Sequence, residues 1–318
     1  MTDARIADPS AAPPALSTGH GTANDFVFLY DPAGEQDLNA EQVALLCNRR
    51  TGIGADGLIR VVRTTAAGVP EAAAAAEAGA EWFMDYRNAD GSIAEMCGNG
   101  VRAFAHYLRS YALAADPAHM PVGTRAGVKT VTVEPDPTGR SALWYRVDMG
   151  QWTLPGNSAD GGDTLVLTRG VEVPRPGLDV DMGNPHTVVA LASAQELTAA
   201  ELTHAPQLNP NPPAGTNVEY IVIEPDGDGD PMTGSLRMRV FERGVGETQA
   251  CGTGACAAAL AAHHWAGSQG PISWLVEQPG GTVRVDISGH EVSLAGPAEL
   301  TAVIELSEEL KARMRALL

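Results

Sequence analysis

From Asp25 onward, short runs of aromatic and β-branched residues alternate with Gly- and Pro-rich turns, and a few helical segments interrupt them. Phe26 to Tyr30 reads as a strand, because such side chains fit a pleated surface. Leu58 to Arg63 and Glu81 to Tyr86 read the same way. They flank an alanine-rich stretch, Glu71 to Ala80, expected to form a surface excursion or a short exposed helix. Further strands are expected at 128–134, 142–148, 164–173, 186–191, 218–224, 236–241, 282–287 and 291–295. Glu41 to Arg50 predicts a helix with Asn39 as its N-cap. Val101, Phe104, Ala105 and Leu108 recur at helical spacing and predict one apolar face. Ala255 to Ala262 is apolar all round, which predicts a helix buried on every side. Strands outnumber helices, so the fold class is α+β, or mixed α/β.

The last two helices follow the same kind of turn, Met96-Cys97-Gly98-Asn99-Gly100 in one case and Ala250-Cys251-Gly252-Thr253-Gly254 in the other. Sliding the chain on itself by 154 residues superposes Cys97 on Cys251, Gly98 on Gly252, Gly100 on Gly254 and Ala103 on Ala257. A period of that size in 318 residues indicates two domain-sized copies of one fold. The expected organisation is a flexible tail over 1–18, a first half over 19–148 carrying Cys97 and a second half over 149–297 carrying Cys251. A final segment, 298–318, is expected to pack back on the first half.

Composition narrows the function. With 39 acidic against 21 basic residues, the formal charge of −18 repels phosphate backbones and anionic lipid, which excludes nucleic-acid and membrane partners. No apolar run approaches a spanning helix, and the first 18 residues lack the pattern of a signal peptide, so a soluble cytoplasmic protein is expected. Four cysteines are too sparse for a disulfide scaffold. Only two lysines, Lys129 and Lys311, are present, so a lysine-anchored cofactor or a P-loop has almost no candidates.

A Cys-Gly-x-Gly turn at a helix start offers free backbone N–H groups and the positive end of the macrodipole. Its glycines let an anion such as a carboxylate approach closely. The same field is expected to lower the cysteine pKa and make the sulfur a competent base. One cysteine ahead of a helix is ordinary packing; two in duplicated turns suit proton removal from one face of a carbon and return to the other. That is racemisation or epimerisation. The competing motifs fail on detail. No Cys or His pairs have zinc spacing, so no metal is expected. Gly52 to Gly57 runs from helix to strand, the wrong order for a dinucleotide turn. In the acidic run Asp226 to Asp230, Pro231 and Arg237 stand where a calcium loop requires glycine and glutamate, so it reads as a hairpin tip. Cys47 and Cys256 read as packing residues.

Several longer motifs together carry a resemblance to the diaminopimelate epimerase family over about Gly19 to Ala302. They are Gly21-Thr-Ala-Asn24-Asp25-Phe26, Gly52-Ile-Gly-Ala-Asp56-Gly57, Asn88-Ala-Asp-Gly91-Ser92, Met96 to Gly100, Met182-Gly183-Asn184-Pro185-His186 and Glu242 to Ala255. The resemblance implies two pseudo-symmetric halves, each a curved, mostly antiparallel sheet around a central helix. It also implies a cofactor-free enzyme, usually homodimeric, that interconverts LL- and meso-2,6-diaminopimelate, a small-molecule substrate, in lysine and peptidoglycan-precursor biosynthesis. Cys97 and Cys251 would be its acid/base residues. Gly98, Asn99, Gly252 and Thr253 would hold the α-carboxylate, and Asn24, Asn88, Asn184, Asn217, Glu242 and Arg243 the rest of the substrate. Arg243 suits the distal carboxylate, and His186 and Glu242 would orient the thiols or the ammonium group.

The sequence departs from the family at Gly57, where some members carry a glutamine, so that contact does not carry over. Thr253 replaces the more usual serine and keeps the hydroxyl. Proline racemases and hydroxyproline epimerases share the paired cysteines but typically have histidine where Asn99 stands and lack the Glu-Arg-Gly-x-Gly-Glu-Thr run. A non-catalytic thiol-redox or ligand-binding protein is the rival from another class.

Overall fold

The computed structural model describes residues 12–141, 143–155, 164–224, 232–267 and 269–318. The 226–230 run read above as a hairpin tip, and most of the expected N-terminal tail, lie outside the described residues. The chain divides into two compact units, one comprising residues up to Val147 with Pro297–Leu318 and the other Asp148–Gly296.

In the first unit the order is β1 (Leu16–Gly21), β2 (Asn24–Tyr30), α1 (Ala40–Cys47), β3 (Gly57–Arg63), α2 (Glu71–Glu77), β4 (Trp82–Asn88), α3 (Gly98–Ser110), β5 (His119–Thr124), β6 (Gly127–Pro135) and β7 (Leu143–Gln151). The second unit holds β8 (Thr164–Leu167), β9 (Arg175–Asp181), β10 (Pro185–Ala190), α4 (Ala194–Ala199), β11 (Gln207–Asn209), β12 (Asn217–Ile223), β13 (Thr233–Glu242) and β14 (Gly246–Thr248). It continues through α5 (Gly252–Ala266), β15 (Ser273–Gln278), β16 (Gly281–Ser288) and β17 (Glu291–Gly296). β18 (Glu299–Ile304) and α6 (Glu308–Arg315) belong to the first unit again.

The duplication is visible in the strand pairings. From β1 through β2, β3, β4, β5, β6 and β7, neighbours pair antiparallel, parallel, antiparallel, parallel, antiparallel and antiparallel. From β9 through β10, β12, β13, β15, β16 and β17 the same six pairings recur in the same order. In both units the longest helix, α3 or α5, lies in the crossover between the two strands of the second parallel pair. Parallel neighbours need such a crossover, whereas antiparallel ones close by a short turn. The mixed α/β class and the duplicated halves expected from the sequence are therefore found.

Why these residues form these elements is clearest in β2. Phe26 to Leu29 are all buried because the strand is covered on both faces. Val27 and Leu29 pack with Val43 and Leu46 of α1, and with Leu310 and Met314 of α6. On the opposite face, Phe28 stacks on Tyr107 of α3 with ring centroids 5.0 Å apart. β13 and β16 instead alternate buried and more open positions, the pattern of a strand with one covered face.

Four expectations need correction. α1 stops at Cys47 rather than Arg50, because the Asn48 side chain accepts from the N–H groups of Arg50 and Thr51 and turns the chain. The 164–173 strand ends at Leu167, where Thr168 to Val171 closes a turn through Gly170 at φ +80°. The alanine-rich stretch is a short helix, α2, but Ala72 and Ala75 are buried against Val62 and Phe83 rather than exposed. α3 has more than one buried face: Arg102 and Tyr107 are as inaccessible as Val101 and Phe104. Strands β1 to β6 and β18 all approach it, so a helix that reads as amphipathic is enclosed.

A buried ion cluster ties the first unit together. Asp85 Oδ1 accepts from Arg125 at 2.8 Å and lies 3.4 Å from Arg87 Nε, and Asp85 Oδ2 is 3.5 Å from Arg60. Arg60 also binds Asp31 Oδ2 at 2.8 Å. Burial opposes ionisation of both carboxyls, but the neighbouring guanidinium groups, with backbone N–H groups at Asp31, outweigh it and hold both below their ordinary values. Their stabilisation is thus complete above about pH 4, the unfolded carboxylate range, and is lost as pH falls through the lower folded values. Asp85→Asn leaves buried guanidinium charge uncompensated and is expected to cost about 3–5 kcal/mol. Chemical denaturation at pH 7 and pH 3 checks this, and the gap between variant and parent should narrow at the lower pH.

Candidate active site

In the first unit the chain leaves β4, turns through Gly91 at φ +83°, and enters α3 with Cys97 as the N-cap in extended conformation, φ −137° and ψ 120°. The Cys97 side chain makes no capping hydrogen bond to the first turn of α3. The Cys97 sulfur is half-buried and donates to Asn24 Oδ1 at 3.4 Å. The same oxygen accepts from Asn99 Nδ2 at 3.4 Å. Behind it, Asn24 Nδ2 donates to Asp56 Oδ2 at 2.8 Å, and Arg49 clamps Asp25 and Asp56 at 2.6 and 2.7 Å. Burial works against ionised Asp25, but Arg49 prevails and keeps its carboxyl below the usual range. Buried Arg102 fixes Asn99 from beneath, donating to Asn99 Oδ1 at 2.6 Å and to Thr22 Oγ1 at 3.0 Å. Asn24, Cys97, Asn99 and the Gly98 backbone therefore form one constellation. Asn88 lies at the end of β4, where its amide donates to Ser92 Oγ at 3.0 Å.

The second unit repeats the cap with different surroundings. Cys251 caps α5 at φ −127° and ψ 118°, dihedral angles similar to those of Cys97 in its own unit. Its sulfur accepts from Gly254 N–H at 3.3 Å and lies 3.6 Å from Thr253 Oγ1, and its own N–H donates to Gln278 Oε1 at 2.9 Å. A Cβ on Gly254 would come 2.7 Å from Glu219 Oε1 and 3.2 Å from the Cys251 sulfur, so a side chain there would displace the Glu219 carboxylate. His186 Nδ1 is 2.7 Å from Glu219 Oε1, and its Nε2 is 3.1 Å from Asn184 Oδ1. Asn217 Oδ1 accepts from the Arg243 N–H at 2.9 Å, while the Arg243 guanidinium donates to Ala214 O at 2.9 Å. Glu242 accepts from Thr248 Oγ1.

The expected lowering of the thiol pKa does not hold at Cys251. Burial pushes it well above its ordinary value, Glu242 and Glu219 add to the rise, and the bonds from Thr253 and Gly254 only partly offset it. A helix N-terminus favours thiolate, but here desolvation and two carboxylates outweigh it. Glu219 and Gln278 were absent from the sequence expectations. Glu219 sits inside an apolar strand run, Asn-Val-Glu-Tyr-Ile-Val-Ile, and its only sequence signal is an acid where alternation gives no exposed position. The glutamine position of some family members also has a physical answer, since a Cβ on Gly57 would meet Arg87 O at 2.5 Å and the Tyr86 ring at 2.6 Å. Among the described residues no group of three or more His, Cys, Asp or Glu side chains is placed to hold a metal, and no helix is long and apolar enough to cross a membrane. Cys47 and Cys256 are buried on α1 and α5.

Solved structures place the fold in a known class. A Bacillus anthracis phenazine biosynthesis protein of the PhzF family aligns with TM-score 0.62 at 15% identity, covering 92% of this chain and 98% of that one. A probable proline racemase from Agrobacterium radiobacter aligns with TM-score 0.56 at 14% identity, covering 92% of each chain. Identities this low define the duplicated fold and nothing finer. Sequence is more specific. The family model described as diaminopimelate epimerase matches residues 16–154 and 179–301. A diaminopimelate epimerase of Rhodococcus opacus is 47% identical over 294 residues, covering 90% of this chain and 95% of that protein. One from Thermobifida fusca is 44% identical over 293 residues, covering 90% and 96%. The chain belongs to the diaminopimelate epimerase family.

The raised Cys251 pKa makes this thiol slow to react at neutral pH, since only the thiolate is nucleophilic. Alkylation with iodoacetamide, followed residue by residue by mass spectrometry, should modify Cys251 more slowly than a free cysteine at pH 8. Its rate should still be climbing above pH 9.

Proposed function

We propose that the chain is a cofactor-independent isomerase that interconverts LL- and meso-2,6-diaminopimelate, with Cys97 and Cys251 as its acid/base pair, one from each unit. The observation that carries this reading is membership of the family together with two cysteines in matching conformations at two matching helix starts. In one direction the Cys97 thiolate removes the α-hydrogen as a proton and the Cys251 thiol delivers its own proton to the opposite face. The sulfurs finish with exchanged protonation states, and the reverse reaction restores them. Burial and two neighbouring carboxylates favour Cys251 as the resting thiol, which suits it to that delivery.

The carbanion needs stabilisation while the proton is absent. Backbone N–H groups of Gly98 and Asn99 and of Gly252 and Thr253, at the two helix starts, suit the α-carboxylate, where negative charge accumulates. Arg243 suits the distal carboxylate, which a guanidinium holds by a two-pronged charge-assisted bond. Asn217 supports that role by holding the Arg243 backbone. Asn24, Asn88 and Asn184 complete the substrate contacts in this reading, and Glu242 and His186 orient the reacting groups. The family resemblance further implies a cytoplasmic homodimer acting in lysine and peptidoglycan-precursor biosynthesis.

Incubation with LL-diaminopimelate in deuterated water, without added cofactor, should give the meso isomer with deuterium at one α-carbon. Trans-4-hydroxyproline, offered in parallel, should not turn over; turnover of it in place of diaminopimelate would redirect the reading to a proline racemase-like enzyme. Cys97→Ala and Cys251→Ala should each lose at least about 100-fold in kcat, the usual contribution of a positioned acid or base. Full activity in either variant would refute the two-thiol mechanism. Arg243→Met should raise KM by roughly 10- to 100-fold, the worth of a charge-assisted bond. Steady-state kinetics with both isomers would measure it.

A further inference from the structure

We propose that Glu219 is a positioning residue for this reaction: its buried carboxylate fixes the His186 ring and braces the first turn of α5 beside Cys251. The role rests on the isomerase reading, but the geometry stands without it. β10 and β12 are parallel neighbours with His186 opposite Asn217, and Glu219, two residues further along β12, emerges on the same face as Asn217. That register sets the carboxylate diagonally across from the imidazole, and the two meet at 2.7 Å through Oε1 and Nδ1.

Glu219 is 0% exposed, as costly a position as a carboxylate can occupy. Oε2 is buried without a hydrogen-bond partner, so Oε1 carries the whole compensation. An apolar residue of similar volume would serve packing at least as well. What the carboxylate adds is direction. Glu219 Oε1 meets Nδ1 and Asn184 Oδ1 lies 3.1 Å from Nε2, so the ring is held at both nitrogens and its plane is fixed. Asn184 is one of the substrate residues of the reading above, so the chain Glu219–His186–Asn184 runs from the strand interior to the reacting groups.

The other contact of Oε1 is with α5. The carboxylate lies so close to Gly254 that a Cβ there would sit 2.7 Å from Oε1 and displace it. Gly254 is the residue whose N–H holds the Cys251 sulfur at 3.3 Å. One carboxylate therefore touches both the ring that faces the substrate residue Asn184 and the turn that aims the thiol. Three acid/base side chains stand around that turn, namely Glu242 on β13, Glu219 on β12 and His186 on β10. Glu219 is the one that meets both the His186 ring and the Gly254 turn.

The test uses full-length protein with 15N-labelled histidine, the wild type beside Glu219→Gln, which keeps the shape and removes the charge, and Glu219→Ala. A ring N–H bonded to a carboxylate gives a downfield, slowly exchanging proton resonance, because charge-assisted bonds are short and strong. The wild type should show it for His186 and Glu219→Gln should move it upfield. Glu219→Gln should also lose roughly 10- to 100-fold in kcat, less than removal of a catalytic acid or base can cost, with KM within roughly threefold and a cooperative melt retained. Glu219→Gln with kcat within about twofold of wild type would overturn the proposal, as would a wild type lacking the resonance. A kcat loss that only follows the fraction unfolded, with the resonance unmoved, would reduce Glu219 to packing and also overturn it. Glu219→Ala should lose the resonance and more activity than Glu219→Gln; equal activity in the two would refute a role for the carboxylate shape. If wild type turns over no diaminopimelate, the isomerase reading falls, while the resonance still decides whether Glu219 orients the ring.

Discussion

Every α-helix opens with N–H groups that have no partner inside it, and a buried helix must satisfy them or use them. Both units of this protein enclose a helix within a sheet and begin it at a cysteine followed by Gly-x-Gly. Both cap residues are extended; the Cys251 sulfur accepts from the Gly254 N–H in the first turn of α5, whereas the Cys97 sulfur donates to Asn24. Around α3 the outer positions are polar, Asn24, Asn99 and Arg102, and they bond to one another. At α5 they are carboxylates, with Gln278 holding the Cys251 N–H. The same backbone device thus sits in two electrostatic settings.

That asymmetry matters more than the symmetry of the fold. The two-thiol reaction proposed above needs one sulfur to start as acid and the other as base. Identical surroundings would leave both in the same state. Burial and negative neighbours raise the Cys251 pKa, while the Cys97 sulfur is half-buried and donates to the Asn24 amide oxygen. The helix-end field expected from sequence to lower the thiol pKa is outweighed at Cys251 by burial and two carboxylates.

Much of the fold was legible as pattern. The β2, β3, β4 and β12 runs and the all-alanine interior of α5 are found at or near their expected positions, because long apolar runs have few alternatives to burial. β1, β5, β9, β11, β14, β15 and β18 were missed. Leu-Ser-Thr-Gly-His-Gly has weak strand propensity and becomes β1 only because β2 and β18 pair with it on both sides. Arg175-Pro-Gly-Leu-Asp-Val-Asp is a strand for the same reason, held between β8 and β10. α3 was read as amphipathic, and the sheet around it buried its polar positions as well.

The candidate site divides along the same line. Sequence by itself determined the duplication, the two cysteine turns and the residues that accompany them, because a helix start with a required backbone conformation leaves a short contiguous signature. It also determined the family. The tertiary structure alone decided which residues share hydrogen bonds. It joined Asn24 to Cys97 across 73 positions, set Glu219 against His186 and Gly254, and left Asn88 with Ser92. It likewise decided the direction of the Cys251 shift. Proton affinity depends on what surrounds a group in space, on solvent removed and charges brought near, and neither is a property of neighbours along the chain.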